Sequence, residues 1–357
     1  MKKNFSLFLI SILLSLIIVE VFLDKIFFKK KFEYNHENRF ILFEQGDIFR
    51  NINDELFTYH PQKKIRTSLF YYEKEFKKVY DYKVNSNNYG LLQKNDIIKN
   101  KPAILFLGDS FTEGQGYGSW IDNFNGIYKS YQIINGGILG TGPQQFLSLE
   151  KYISKDIKIN HIFFLYIGDD FRRSTYTHSN QQLLCLKNYQ LCNGKENFFG
   201  YPLSKKNPNN FLHELKIMRS DTKSEISFKK IRRSIKKWFK DLYVINIPIE
   251  YLKNKFYKSN NTKIKNNFLA VEKLINKYQD DITFINLKQK QEIFYKKESY
   301  ETIYAKEFIN KRTNRNFNCD FENNLDYFHT FDGHPNKKGY EHLYNCVFRI
   351  LDKTKIK

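Results

Sequence analysis

Residues 103–116 read AILFLGDSFTEGQG, with five apolar side chains over 103–107 followed by Gly108, Asp109 and Ser110. A short apolar run that stops at a glycine suits a buried strand meeting a turn. A serine on a tight strand-to-helix turn presents its hydroxyl and keeps its own N–H near a helix N-terminus. That placement suits a nucleophile whose amide stabilises a developing oxyanion.

Outward from this stretch, residues 132–134, 161–167 (HIFFLYI) and 282–287 (ITFINL) are further apolar runs of strand length. Helix-like patterns occupy 144–154, 263–278 and 337–351. Strand alternating with helix predicts an α/β fold, a three-layer α/β/α sandwich around a parallel sheet. Ser110 is then expected near the carboxyl ends of the strands. No internal repeat is visible.

The chain of 357 residues is 41% hydrophobic and 17% aromatic, enough to bury a core and to exclude disorder throughout. Its 59 Lys and Arg against 38 Asp and Glu leave +21, which favours a polyanionic neighbour. Residues 205–265 concentrate the charge, with 17 basic against 5 acidic side chains. Within them Phe228, Ile231, Ile235, Trp238 or Phe239, and Leu242 recur at helical spacing. Two readings of this helix, 227–243, stand. It packs its apolar stripe on its own domain, or it lies on an anionic membrane surface.

Residues 5–23 form an apolar run whose single ionisable member is Glu20. As a helix it measures about 28 Å, close to the hydrocarbon thickness of a bilayer. Lys2 and Lys3 precede it and no small-x-small cleavage site follows, so an uncleaved signal anchor is expected. The expected division is an anchor at 1–26, a stalk and lead-in at 27–100, and the α/β domain at 101–357 with a basic insertion at about 172–280. Lys25, Lys29, Lys30 and Lys31 outnumber the lysines ahead of the anchor, which would draw the C-terminal side into the cytoplasm. The site chemistry argues for the opposite face, and the expected location is the inner membrane with the domain outside. With a membrane anchor and an enzyme-like core in one chain, nucleic acid is not an expected partner.

A serine site needs a base and a group to orient it. Asp332-Gly333-His334-Pro335-Asn336 supplies both, since a carboxylate two residues before a histidine can hold one ring nitrogen while the other faces the serine. His329 reads as a loop residue. The eight histidines show no HxH or HExxH spacing and the four cysteines no CxxC, so neither a metal nor a cofactor is expected. Cys185 with Cys192, and Cys319 with Cys346, are open to two readings, disulfide or free thiols.

With these residues in place, the chain resembles the SGNH, or GDSL-type, hydrolase superfamily in its membrane-anchored branch. Four blocks carry the resemblance in order: Gly108–Gly116, Asn135–Pro143 (NGGILGTGP), Gly168-Asp169-Asp170-Phe171, and Asp332–Asn336 with Gly339. Asn85–Gly90 upstream is similar to that branch as well. The resemblance spans 85–170 and 330–352 and leaves the basic middle unexplained. It implies a flavodoxin-like sandwich, Ser110 as nucleophile, His334 as general base and Asp332 as its orienting partner. It further implies an oxyanion hole from the N–H groups of Ser110 and Gly140 and the side chain at 169. Here Asp169 stands where the family has asparagine. A carboxylate donates only if it keeps a proton, which burial beside Asp170 would favour; otherwise the hole lacks that donor.

The function this resemblance implies is an anchored esterase or O-acyltransferase for ester groups, O-acetyl above all, on envelope carbohydrate. A lysophospholipase and a weakly catalytic polysaccharide-export accessory are the alternatives.

Overall fold

The computed structural model describes residues 39–43, 48–53, 55–173, 197–198, 201–202 and 262–354, together with six helical positions in 11–20. The chain divides into two compact units, one of 1–33 and 209–261, the other of 34–208 and 262–357. In the first, the described positions include exposed Leu14, Ile18 and Val19. Most of the apolar run 5–23, the whole stripe 227–243, and Cys185 and Cys192 lie outside the described residues. Among the described residues no helix is long and apolar enough to cross a membrane.

The second unit begins with strands β1 (Arg39–Phe43), β2 (Phe49–Asn53), β3 (Leu56–Tyr59), β4 (Lys64–Tyr72) and β5 (Phe76–Asn85). β4 is the centre of an antiparallel sheet, with β1 on one side and β5 on the other; β2 pairs antiparallel with β3. In β4, Ile65, Thr67, Leu69 and Tyr71 are buried on alternate positions, the period of a strand with one covered face. The described residues of 39–85, within the span 27–100 expected as a stalk and lead-in, lie in the same compact unit as the α/β sheet. Interleaved lysines and arginines mask the period of two. The pairing of β1 with β4 joins segments that no local window compares.

The α/β part follows as β6 (Ala103–Gly108), α1 (Ser110–Glu113), β7 (Gln132–Gly137), α2 (Pro143–Ile153) and β8 (Ile159–Tyr166). Two short paired strands, β9 (Asn197–Phe198) and β10 (Tyr201–Pro202), precede α3 (Thr262–Tyr278). The chain ends in β11 (Ile282–Leu287), α4 (Lys290–Phe294), α5 (Tyr300–Asn310), β12 (Asn316–Cys319) and α6 (Lys337–Thr354). Five strands make one parallel sheet in the order β12-β11-β8-β6-β7.

Every residue of β6 and β11 is buried, as expected of parallel strands covered on both faces. On one face Phe106 stacks on Phe163 at 5.1 Å and on Phe124 at 5.3 Å, in a core shared with Tyr340, Leu343 and Val347 of α6. On the other, Phe164 meets Phe146 of α2 at 5.3 Å and Phe284 at 5.1 Å. Each such side chain contributes about 1.5–3 kcal/mol by leaving water. A disulfide joins Cys319 to Cys346, tying β12 to α6.

The basic insertion expected at about 172–280 includes α3 in its described part. α3 packs along α2, and its Asn267 donates to the carbonyl of Phe171 at 2.9 Å, so 262–278 is scaffold. The chain leaves β6 for β7 on one side and returns to β8 on the other. That reversal opens a crevice at the carboxyl end of β6, where ligands bind in open α/β sheets.

Candidate active site

The turn after β6 is built by Gly108, Asp109 and Ser110. A Cβ on Gly108 would lie 2.8 Å from the carbonyl oxygen of Leu165, so a glycine is needed where the chain passes β8. Asp109 caps α1 by accepting from the Phe111 N–H at 2.9 Å. Ser110 opens that helix and is buried.

From 224 positions away, His334 brings Nε2 to 2.8 Å from Ser110 Oγ. Its Nδ1 lies 2.8 Å from Asp332 Oδ2, while Asp332 Oδ1 accepts from the Gly333 N–H at 2.8 Å and forms an ion pair with Arg39 of β1. Burial alone would raise the Asp332 carboxyl, but Arg39 and the His334 ring outweigh it and hold the group below the usual carboxylate range. The loop carrying this pair is fixed from several sides. Lys290 Nζ donates to the carbonyls of His329 (2.6 Å), Thr330 (2.8 Å) and Asp332 (3.3 Å), and burial pushes its ammonium down to about 8 against the pull of Asp332. Phe331 stacks on Tyr71 of β4 at 4.5 Å. His329 sits in this loop, its Nε2 3.2 Å from the Gly116 carbonyl oxygen and its ring 5.1 Å from that of Tyr80.

The second loop, after β7, carries Gly140 with φ of +72°, a conformation that favours glycine. Its neighbour Leu139 donates to Glu113 Oε2 at 2.6 Å, and Tyr59 of β3 donates to Glu113 Oε1 at 3.0 Å. Burial pushes the Glu113 carboxyl up to about 8, against both hydrogen bonds.

The third loop holds Asp169 and Asp170. Asp169 is ion-paired with Arg172 through Oδ1, and its Oδ2 is 3.6 Å from Arg173 Nη2. Both oxygens thus face guanidinium groups. Of the two readings left open for Asp169, a protonated donor or an ionised carboxylate, guanidinium neighbours on both oxygens favour the acceptor. Arg173 Nη1 reaches Asp109 Oδ2 (2.9 Å), the Thr141 carbonyl (2.8 Å) and Asp170 Oδ1 (2.8 Å). Burial pushes Asp170 well above the usual range, Asp109 adds to this and Arg173 opposes it.

The structure therefore brings Ser110, His334 and Asp332 into one hydrogen-bonded chain. Gly140 lies in the loop after β7 and Asp169 in the turn after β8, joined to each other through Thr141 and Arg173. Arg39, Glu113, Lys290 and Arg173 were not singled out by the sequence reading. Glu113 lies inside the first block and Arg173 four positions after Asp169, so their nearness was legible, whereas nothing local marked Arg39 or Lys290. Among the described residues no cluster of His, Cys, Asp and Glu could hold a metal ion.

Fold and site together are those of an α/β protein with a hydrogen-bonded Ser–His–Asp chain at the carboxyl end of its parallel sheet. No protein-family model and no curated protein matches the sequence. Among solved structures, the chain is similar to a member of the lipolytic G-D-S-L family from Veillonella parvula, at 10% identity over 70% of this chain and 98% of that one, with a TM-score of 0.33. It is also similar to a lipase/acylhydrolase from Enterococcus faecalis, at 12% identity over 70% and 94% of the two chains, with a TM-score of 0.33. A GDSL-like lipase from Bacteroides thetaiotaomicron is 13% identical over 71% and 88%, with a TM-score of 0.32.

Proposed function

We propose that this chain is a membrane-anchored serine esterase or O-acyltransferase that acts on ester groups, O-acetyl above all, of envelope carbohydrate. The observation that carries the chemistry is the unbroken chain Ser110 Oγ, His334 Nε2, His334 Nδ1, Asp332 Oδ2, with both links at 2.8 Å. In the acylation step Ser110 Oγ bonds to the ester carbonyl carbon as His334 Nε2 takes its proton. Asp332 keeps the other proton on Nδ1 and stabilises the imidazolium. The carbonyl oxygen becomes an oxyanion facing the N–H groups of Ser110 and Gly140. The intermediate collapses, the alkoxide leaves with the proton from His334, and an acyl-serine remains. Water or an acceptor hydroxyl then attacks by the same steps in reverse, giving hydrolysis or transfer.

Anchoring rests on the apolar run 5–23, and the outer face is supported by the Cys319–Cys346 disulfide, which persists in oxidising compartments. The basic surplus would draw an acidic glycan. A second reading, a lysophospholipase or other lipid esterase, is favoured by the amphipathic basic stripe 227–243. Acetyl release from p-nitrophenyl acetate by the full chain in detergent, absent in Ser110→Ala, tests the chemistry. Faster turnover of long-chain than of acetyl esters would favour the lipid reading. A reporter fused after Lys357 tests the topology, and reporter activity confined to the cytoplasm would overturn the outer placement.

A further inference from the structure

The guanidinium of Arg173 reaches residues from all three loops that meet at Ser110. Asp109 belongs to the loop after β6, Thr141 to the loop after β7, and Asp169 and Asp170 to the turn after β8. Asp109 Oδ2, which Arg173 grips, is itself 3.4 Å from Ser110 Oγ. The Thr141 carbonyl that accepts from Arg173 follows Gly140 directly. Three carboxyl groups crowd this guanidinium, and burial favours the neutral form of Asp170. An oxyanion forming beside the carboxylates of Asp109 and Asp169 without a compensating cation would be opposed by their charge, since a donor-rich, pre-oriented surrounding is what lowers such a barrier.

Resting on the functional reading above, we propose that Arg173 is the positioning residue of the oxyanion hole: it locks the three loops in register and offsets the carboxylate at Asp169, the position where an asparagine would donate. Charge and geometry are both required. A lysine would retain the cation, but it is a point charge without the planar fork that reaches Asp109, Thr141 and Asp170 through one nitrogen and Asp169 through the other. Arg172, more exposed and paired with Asp169 alone among the described residues, adds charge from the solvent side.

A coupling experiment separates this role from a structural one. Turnover of p-nitrophenyl acetate is measured for the full-length wild type, Asp169→Asn, Arg173→Gln and the double variant, with unfolding transitions recorded for each. Arg173→Gln should lower kcat about 10²-fold, the usual worth of an oxyanion donor, with KM within about three-fold. Adding Asp169→Asn should restore at least about ten-fold of that loss, because the charge Arg173 offsets is gone and an amide donor stands in its place. If Arg173→Gln does not fold, Arg173→Lys with and without Asp169→Asn reads the same coupling: a loss of about ten-fold, reversed in the double variant. Folded double variants no faster than their parent would overturn the proposal while leaving the esterase reading intact. A wild type without Ser110-dependent turnover would overturn both.

Discussion

Arg39, on the first strand of the antiparallel sheet, is ion-paired with Asp332, the carboxylate that holds the ring of His334. Asp332 is fully buried, and it accepts as well from the Gly333 N–H. The first strand ahead of the α/β sheet is in this way tied to the Ser110–His334–Asp332 chain.

Removing that cation leaves a buried carboxylate with only part of its compensation. Arg39→Gln should destabilise the fold by about 3–5 kcal/mol at pH 7, the usual cost of breaking a buried pair. The sign with pH follows from the lowered Asp332 carboxyl. Its stability contribution is present above the ordinary carboxylate value near 3.8 and is lost as pH falls below it. Urea unfolding of wild type and variant should therefore converge toward acid pH, and a difference that stays constant from pH 7 to pH 3 would contradict this assignment.

Ser110→Ala and His334→Ala should each abolish nearly all ester hydrolysis, because attack and proton transfer act as one unit. Asp332→Asn should be milder or similar, since it orients without reacting. Retention of more than about a tenth of the wild-type rate in either alanine variant would remove the serine mechanism, whose worth is many orders of magnitude.

Glu113 links the loop after β7 to Tyr59 from a buried position, with its carboxyl raised to about 8 from 4.5. A group raised in the folded state supports the fold fully below its unfolded value, and that support is lost as pH rises through the folded value. Stability of the wild type should then fall by on the order of a few kcal/mol between pH 4.5 and 8 relative to Glu113→Gln, which cannot ionise. Parallel pH profiles of the urea midpoint for the two proteins would show that Glu113 does not titrate in this window.

Cys319 and Cys346 close a loop with a sequence separation of 27. Replacing both with serine should cost about 3 kcal/mol by freeing the unfolded chain. Unfolding of the wild type with and without a reductant checks this, and identical midpoints would mean that the pair contributes no cross-link in solution.

The strands and helices of the α/β sheet were legible because local physics sets them. A fully apolar run such as 103–107, or a mostly apolar one such as 282–287, favours burial, and the helical period of 337–351 needs no distant partner. The sequence also marked Ser110, His334 and Asp332, since a glycine-bounded turn and a carboxylate two residues from a histidine are local features. It could not join them: 224 positions separate Ser110 from His334, and only the parallel order β12-β11-β8-β6-β7 carries both loops to one crevice. The antiparallel strands were missed for the same reason, their partners being distant and their alternation broken by charge. Arg39, Lys290 and Arg173 gain their roles from burial against acids and carbonyls contributed by other segments. A charged side chain in a sequence carries no sign of whether water or a carboxylate will surround it. Tertiary packing alone decides that, because it removes the water.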